Sequence, residues 1–175
     1  LIFGIGGGVS LAALQLAKWS GARAIVTSRD PVKLARALAM GADHAIHAAE
    51  GTDIAKEVLA YTQGRGVDVV FENVGAAVWL HALRSAVRGG RIVTCGATSG
   101  DQPPADLRRL FIRQLQVLGS TLGTLDEMGH LLDAVTRGNL QPVIDSTWSL
   151  AQVHQALDRL ESGAQFGKVV VRLPD

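Results

Sequence analysis

The feature that most constrains the fold of this chain is its regular alternation of short apolar segments with longer segments of helical period. Strands are predicted at 1–3, 24–27, 42–47, 67–72, 91–95, 116–120 and 168–172. Helices are predicted between them, near 9–17, 31–40, 52–62, 76–87, 107–114, 125–137 and 149–160. Such alternation favours right-handed crossovers and a parallel sheet with helices on both faces. We therefore predict a doubly wound α/β fold with three layers, αβα.

Length and charge narrow the classes of protein further. The 175 residues suit one domain, predicted to span 1–175. A formal net charge of +1 argues against a nucleic-acid or membrane-surface partner. The single cysteine, Cys95, leaves no internal disulfide framework and no Cys-x-x-Cys motif, which favours a reducing, cytoplasmic setting. Leu1 lies inside an apolar run, so we expect further sequence upstream.

Glycine is enriched, and its densest cluster follows the first predicted strand. The chain has 20 glycines, where about 12 are expected at the usual frequency of about 7%. Four of them, Gly4, Gly6, Gly7 and Gly8, separate Phe3 from an amphipathic helix. Glycines there let the backbone approach a pyrophosphate, which the free N–H groups of the next helix can bind. The strict spacing G-x-G-x-x-G is absent, and the alternative is a turn that only packs helix against strand.

The residues at the end of the second strand indicate which dinucleotide is bound. Doubly wound α/β proteins that bind NAD have an acidic residue there, about 20 residues after the glycines, which binds the ribose hydroxyls. Here Ser28 stands 20 residues after Gly8, and Arg29 follows it. A small hydroxyl with a guanidinium favours the 2′-phosphate of NADP, and Lys33 adds a positive charge. The alternative is a solvated Arg29 with Asp30 binding the ribose of NAD.

Other strand ends supply polar or glycine-bearing turns at Asn73–Gly75, Gly96–Thr98 and Ser120–Thr121. Because the carboxyl ends of parallel strands meet at one edge of the sheet, these turns could line the path of the nicotinamide half. No catalytic residue and no metal site is predicted in the chain. His81, His130 and His154 lie on predicted helices and are expected to be surface or packing residues.

Five segments occur in an order that points to a family. They are Gly6–Lys18 (GGGVSLAALQLAK), Gly41–His44 (GADH), Phe71–Gly75 (FENVG), Gly89–Val93 (GGRIV) and Phe166–Val170 (FGKVV). Together they resemble the Rossmann-type cofactor domain of the medium-chain dehydrogenases/reductases, the superfamily of zinc-type alcohol dehydrogenases and quinone oxidoreductases. The resemblance covers essentially the whole chain.

The resemblance implies roles for individual residues. It places Gly7, Gly8 and Val9 against the pyrophosphate, with Ser10 where the family usually has a third glycine. It places Ser28 at the position of the NAD-selecting aspartate, which supports NADP. It further implies cofactor contacts for the following residues: Asn73, Gly75, Gly96, and Phe166 to Lys168.

The resemblance also implies what lies outside this chain. Family members carry an N-terminal GroES-like domain with the zinc ligands or the substrate pocket, and no segment here corresponds to it. Any zinc ligands of the whole protein would therefore lie outside these residues. By analogy with the family, the sheet edge at Gln116–Ser120 is predicted to form a homodimer contact.

These observations predict the NADP(H)-binding domain of an oxidoreductase. The whole enzyme would transfer a hydride between nicotinamide and a carbonyl, an alcohol or an activated alkene. One alternative is a regulatory module that senses a nucleotide without turnover. A methyltransferase of related fold is a third hypothesis, although Ser28 stands where such enzymes usually place an acidic residue.

Overall fold

The computed structural model describes residues 1–174. The seven helices are α1 Gly8–Trp19, α2 Pro31–Ala39, α3 Ile54–Tyr61, α4 Ala76–Ser85, α5 Leu107–Arg113, α6 Leu125–Thr136 and α7 Val153–Glu161. The seven strands are β1 Ile25–Ser28, β2 His44–His47, β3 Val67–Glu72, β4 Ala86–Thr94, β5 Gln116–Gly119, β6 Ile144–Ser149 and β7 Lys168–Arg172. No helix in this part of the chain is long and apolar enough to cross a bilayer.

The main sheet is parallel and is joined in its middle by Leu1–Phe3, which we call the opening segment. Ile2 forms parallel bridges with both Val26 of β1 and Phe71 of β3. Strand β2 pairs with β1 on one side, while β4 and β5 continue from β3 on the other. The order is therefore β2, β1, opening segment, β3, β4, β5. This confirms the doubly wound α/β fold predicted from the sequence.

Two hydrophobic cores lie on opposite faces of this sheet, because successive side chains of a strand point to opposite sides. Leu1 and Phe3 belong to the core beneath α3 and α4, whereas Ile2 belongs to the core beneath α1 and α2. Phe3 and Val26 are fully buried, one in each core. The sheet is thus covered on both faces, as the three-layer prediction requires.

The junction between α4 and β4 differs from the prediction. A helix to Val87 and a strand from Arg91 were expected, but α4 ends at Ser85 and β4 already begins at Ala86. Ala86 adopts an extended conformation and pairs with Val67, and an irregularity then carries the register to Arg91 opposite Val69. Pairing with β3 therefore overrides the helical periodicity of these residues.

A second, two-stranded parallel sheet is formed by β6 and β7. The sequence analysis predicted β7 but missed β6, and placed no element between Asn139 and Ser149. Ser149 and Gln152 do form the predicted capping box, although the first turn it begins is a 3₁₀ turn, Leu150–Gln152, which leads into α7.

An ion pair between a buried carboxylate and a half-buried guanidinium holds β6, α7 and the approach to β7 together. The side chain of Asp145, 3% exposed, accepts hydrogen bonds from Arg159 at both oxygens, each at 3.0 Å. It also accepts one from the backbone N–H of Phe166 at 2.9 Å. The Arg159 guanidinium is the main cause that holds the pKa of Asp145 well below its usual range.

We expect Asp145→Asn to lower the free energy of unfolding at pH 7 by about 2 kcal/mol, because it leaves Arg159 without its charged partner. A depressed folded-state pKa stabilises the protein above the unfolded-state pKa of about 4 and loses that effect as the pH falls below it. The difference between variant and original chain should therefore shrink between pH 5 and pH 3. Urea unfolding measures it.

The matched control is Asp68→Asn, which removes an exposed ion pair with Arg65. Exposed pairs contribute little, so this variant should change stability only slightly at either pH. Equal effects of the two substitutions at pH 7 would contradict the role given to Asp145.

Candidate functional site

The glycine turn, residues 4–8, connects the opening segment to α1 at the carboxyl edge of the sheet. Gly4 and Gly6 have φ of +62° and +123°, which L side chains rarely adopt. Gly7 is the N-cap of α1 and lacks a capping side chain. The N–H groups of the first helical turn have no carbonyl partner within the helix. These N–H groups point out of the N-terminal end of α1, where an anion is bound most favourably.

The side chain of Ser10 stabilises the glycine turn. Its side chain is fully buried, and its hydroxyl lies within hydrogen-bond distance of the carbonyl oxygens of Gly4 and Gly7, at 3.1 and 3.0 Å. The neighbouring strand adds a bond from the Ile5 N–H to the Thr27 carbonyl at 2.8 Å. Serine in place of the family's third glycine therefore fits the close packing of helix on strand, and holds the turn as well.

Two lysines reach across the glycine turn from distant elements. A Cβ added to Gly6 would lie 2.7 Å from Cδ of Lys33, and one added to Gly8 would lie 2.8 Å from Cδ of Lys168. The Lys33 ammonium donates to the carbonyl of Gly163, and partial burial lowers its pKa. The two predicted lysines thus bring positive charge to both sides of the turn.

The end of β1 carries the residues predicted to select the cofactor. Ser28, Arg29 and Lys33 all line the same groove. Asp30 is the N-cap of α2: its Oδ1 accepts from the N–H of Val32 at 2.8 Å and of Lys33 at 3.4 Å. The Ser28 hydroxyl accepts from the N–H of Asp30 at 3.1 Å. Asp30 therefore caps the helix that follows β1.

The ends of β3 and β4 form the far wall of the groove. Asn73 lines it, and its Oδ1 is buried without a hydrogen-bond partner among residues 1–174. Gly96 packs on Asn73: its added Cβ would lie 3.1 Å from the Asn73 carbonyl oxygen. Gly75, with φ +93°, lies against the loop after β4, 2.9 Å from Cα of Ala97 by the same measure. Gly75 and Gly96 thus shape the wall through close backbone packing.

The groove has a volume of about 950 Å³, at the upper end of the range for small-molecule sites. It runs from the glycine turn past the end of β1 on one side and the ends of β3 and β4 on the other. Residues that the sequence analysis did not assign to it include His81, Ser162, Gly163, Ala164 and Gln165. His81 was expected only to be a surface or packing residue.

Segment 162–165 joins the groove through long-range contacts. The Gly167 N–H donates to the carbonyl of Gly6 at 2.9 Å, which brings the approach to β7 onto the glycine turn. Lys168 follows directly and covers Gly8. Phe166, which was predicted near the cofactor, is instead buried in the core with the Arg36 guanidinium 4.1 Å from its ring centre. Its side chain is not among those that line the groove.

A second hollow, of about 530 Å³, lies at the opposite edge of the sheet. Its lining includes Leu16, Ala17, Ile25, Val67 and Val69, and it is more apolar than the groove. Open parallel sheets bind ligands at the carboxyl ends of their strands, so the groove beside the glycine turn is the candidate site.

A metal site would need several ligands close together. Among residues 1–174, no group of three or more His, Cys, Asp or Glu side chains is placed to hold a metal ion. The described residues therefore do not fit a zinc ion, and we assign no zinc ligand to them. The glycine turn, in contrast, offers open backbone and positive charge, which fit a dinucleotide phosphate.

Comparison with known proteins agrees with this geometry. Residues 8–137 match the family model described as zinc-binding dehydrogenase. A curated alcohol dehydrogenase of Geobacillus stearothermophilus is 30% identical over 99% of this chain and 50% of its own length. A solved NAD-dependent alcohol dehydrogenase is 36% identical, with a TM-score of 0.90, over 99% of this chain and 50% of that one.

A third relative carries a bound cofactor in its solved structure. The 2-octenoyl-CoA carboxylase reductase CinF, solved with NADP and 2-octenoyl-CoA, is 28% identical with a TM-score of 0.89. The match covers 98% of this chain and 42% of that one. The chain spans about half the length, or less, of the first curated relatives it matches.

The matched family model covers most of the chain, and the two solved structures share its fold, with TM-scores of 0.90 and 0.89. These findings confirm the family that the five sequence segments predicted. The chain belongs to the zinc-binding dehydrogenase family, within the medium-chain dehydrogenase/reductase superfamily, as a cofactor-binding domain of the C-terminal type.

Proposed function

We propose that this chain is the NADP(H)-binding domain of an oxidoreductase that transfers a hydride between nicotinamide and a carbonyl, an alcohol or an activated alkene. The observation that carries the proposal is the glycine turn with Lys33 and Lys168 reaching across it, beside a groove of about 950 Å³. Open backbone, free helix N–H groups and two ammonium groups make a site for a pyrophosphate. CinF, with its bound NADP, supports a dinucleotide.

Each part of the groove suits one part of the cofactor. The glycine turn, Gly6 to Val9, would hold the pyrophosphate. Ser28 and Arg29 would hold the substituted ribose of the adenosine half, and Asn73 would face the nicotinamide half. Bound nicotinamide supplies the hydride chemistry, while these residues bind and orient.

The choice of NADP over NAD rests on the end of β1. Relatives of both kinds occur, since one similar structure is an NAD-dependent enzyme and another was solved with NADP. Arg29 is exposed at the groove and has no carboxylate partner among residues 1–174, so its guanidinium is available to a 2′-phosphate. Asp30 caps α2 through Oδ1, which accepts from the N–H groups of Val32 and Lys33.

The rest of the enzyme would lie outside residues 1–175. We propose that these residues form one dinucleotide-binding domain and that a GroES-like domain supplies the substrate pocket. The lone Cys95 is consistent with a cytoplasmic enzyme.

We also propose that the exposed edge of the sheet pairs with a second copy of this chain. All four residues of β5 are exposed, with Val117 and Leu118 each 43% exposed. Leu107 and Phe111 of the adjacent α5 are each 70% exposed. An edge strand with exposed apolar side chains, flanked by exposed apolar helix residues, favours edge pairing across a two-fold axis.

The first test asks whether the glycine turn binds a ligand or only packs. Gly8→Ala puts a methyl group where the pyrophosphate would approach, while inside the fold it meets only the flexible end of Lys168. We expect the melting temperature to stay nearly constant and the Kd for NADPH to rise roughly tenfold or more. Fluorescence titration measures the Kd.

The control for this test is Gly129→Ala in α6, where an added methyl meets no atom within 4 Å. This variant should gain about 0.5–1 kcal/mol of stability from helix propensity and keep its NADPH affinity. If Gly8→Ala binds NADPH as well as the control does, the glycine turn only packs α1 against the sheet and does not bind the pyrophosphate.

A second prediction concerns cofactor choice. Arg29→Ala should weaken NADPH binding roughly tenfold and leave NADH nearly unchanged, because only the 2′-phosphate loses a charge-assisted bond. Ser28→Asp should reverse the preference, since a carboxylate repels that phosphate and binds ribose hydroxyls. Titrations of both cofactors give the ratio, with Arg137→Ala at the exposed C-cap of α6 as control. Equal affinities, insensitive to both changes, would contradict NADP selection.

A third prediction concerns the sheet edge. Val117→Lys places a charge in the proposed contact, so sedimentation equilibrium should show a monomer where the original chain is a dimer. NADPH binding should persist, because β5 does not line the groove. An original chain that is monomeric at tens of micromolar would refute the edge contact.

A further inference from the structure

A buried carboxylate ends strand β3 beside the groove. Glu72 is 1% exposed and lies directly before Asn73. Its second oxygen, Oε2, is buried without a hydrogen-bond partner among residues 1–174. Burial of a carboxylate costs free energy because the group loses its hydration, unless its hydrogen bonds within the protein compensate for that loss. The bonds it makes therefore indicate what the residue does.

Both of those bonds go to the turn that follows. Oε1 accepts from the backbone N–H of Val74 and from that of Gly75, the latter at 2.7 Å. Gly75 is the N-cap of α4 and has no capping side chain of its own. Glu72 thus binds the two N–H groups that immediately precede α4, while the Ser99 hydroxyl accepts from the N–H of Ala77 in the first turn of the helix at 3.0 Å.

The same turn carries the loop after β4. The Val74 carbonyl accepts from the N–H and the hydroxyl of Ser99, at 2.7 and 2.6 Å. The N–H of Ala76 donates to the carbonyl of Gly100 at 3.0 Å, and the N–H of Cys95 donates to the backbone carbonyl of Glu72 at 3.1 Å. Asn73, Val74, Thr98 and Ser99 all line the groove. One carboxylate therefore fixes a turn on which two groove-lining loops are built.

We propose that Glu72 is a positioning residue for the nicotinamide half of the cofactor, acting through the turn Asn73–Gly75 and the loop Ala97–Gly100. The inference rests on the proposed function, because it assigns this end of the groove to the nicotinamide half. The adenosine end, at Ser28 and Arg29, lies on a different strand and is independent of Glu72. Hydrogen-bond geometry, rather than net charge, is what the carboxylate contributes.

Two substitutions separate geometry from charge. Glu72→Gln loses the charge but keeps an oxygen at the same reach, so the bonds to Val74 and Gly75 persist. Glu72→Asp keeps the charge but is one methylene shorter, so those bonds are lost. Each variant is titrated with NADPH and with 2′,5′-ADP, which has only the adenosine half. The control is Thr124→Ala, which removes the cap of α6 away from the groove.

We expect Glu72→Asp to weaken NADPH binding roughly tenfold and to leave 2′,5′-ADP binding within about twofold. Glu72→Gln should stay within about threefold for both ligands, and Thr124→Ala should change neither. A purely structural role would weaken both ligands together in the Asp variant. That result, or unchanged NADPH binding, would overturn the inference.

Cys95 gives a readout that does not depend on the cofactor. Burial, followed by the negative charge of Glu72, raises the pKa of its thiol. Glu72→Gln should therefore shift the alkylation of Cys95 to lower pH, whereas Glu72→Asp should not. This shift would show that the Gln variant, unlike the Asp variant, has lost the negative charge beside Cys95. An unshifted alkylation profile in Glu72→Gln would contradict the separation of charge from geometry on which the two substitutions depend.

Two further outcomes remain distinguishable. If the original chain binds neither NADPH nor 2′,5′-ADP, the proposed function fails and the positioning role fails with it. If Glu72→Asp does not fold, Ser99→Ala decides, because it loosens the same Val74 carbonyl from the exposed side. Ser99→Ala should then weaken NADPH more than 2′,5′-ADP, and equal effects would overturn the inference.

Discussion

The hydrogen bonding of Leu1–Phe3 on both of its sides is the interaction on which the rest of the structure depends. Ile2 donates to Ile25 and accepts from Thr27, while Phe3 donates to Phe71. Three residues thereby join the two halves of the sheet and contribute side chains to both cores. Because the segment runs parallel to its neighbours, it delivers the glycine turn to the centre of the carboxyl edge. The central position of the site follows from this pairing.

The charge of the site is local, because the chain as a whole is almost neutral. Lys33, Lys168 and Arg29 come from three different elements and meet around the glycine turn and the end of β1. Asp30 and Asp145 also act electrostatically on Lys33, but Asp145 is paired with Arg159, and Asp30, the cap of α2, is the remaining carboxylate beside these three cations. A sequence-wide charge of +1 therefore conceals a positive region where a polyanionic ligand would bind.

Features encoded by neighbouring residues were predicted from the sequence, whereas features that depend on long-range contacts were missed. The dipeptide Asp30-Pro31 fixes the start of α2 within the sequence itself, and the structure agrees. The predicted end of α4 was wrong because the pairing of Ala86 with Val67 depends on a distant strand. Strand β6 was missed because its partner β7 lies more than 20 residues away and Asp145, a charged residue, is turned inward by Arg159. His81 and Gln165 reach the groove only through tertiary packing, which no spacing encodes.

The bond from Gly167 to Gly6 brings the two ends of the described chain together at the groove. During synthesis, the glycine turn is made well before the segment that closes over it. A nascent chain therefore cannot present the whole groove until residue 168 has left the ribosome. Ligand binding would then stabilise only molecules in which both segments have folded.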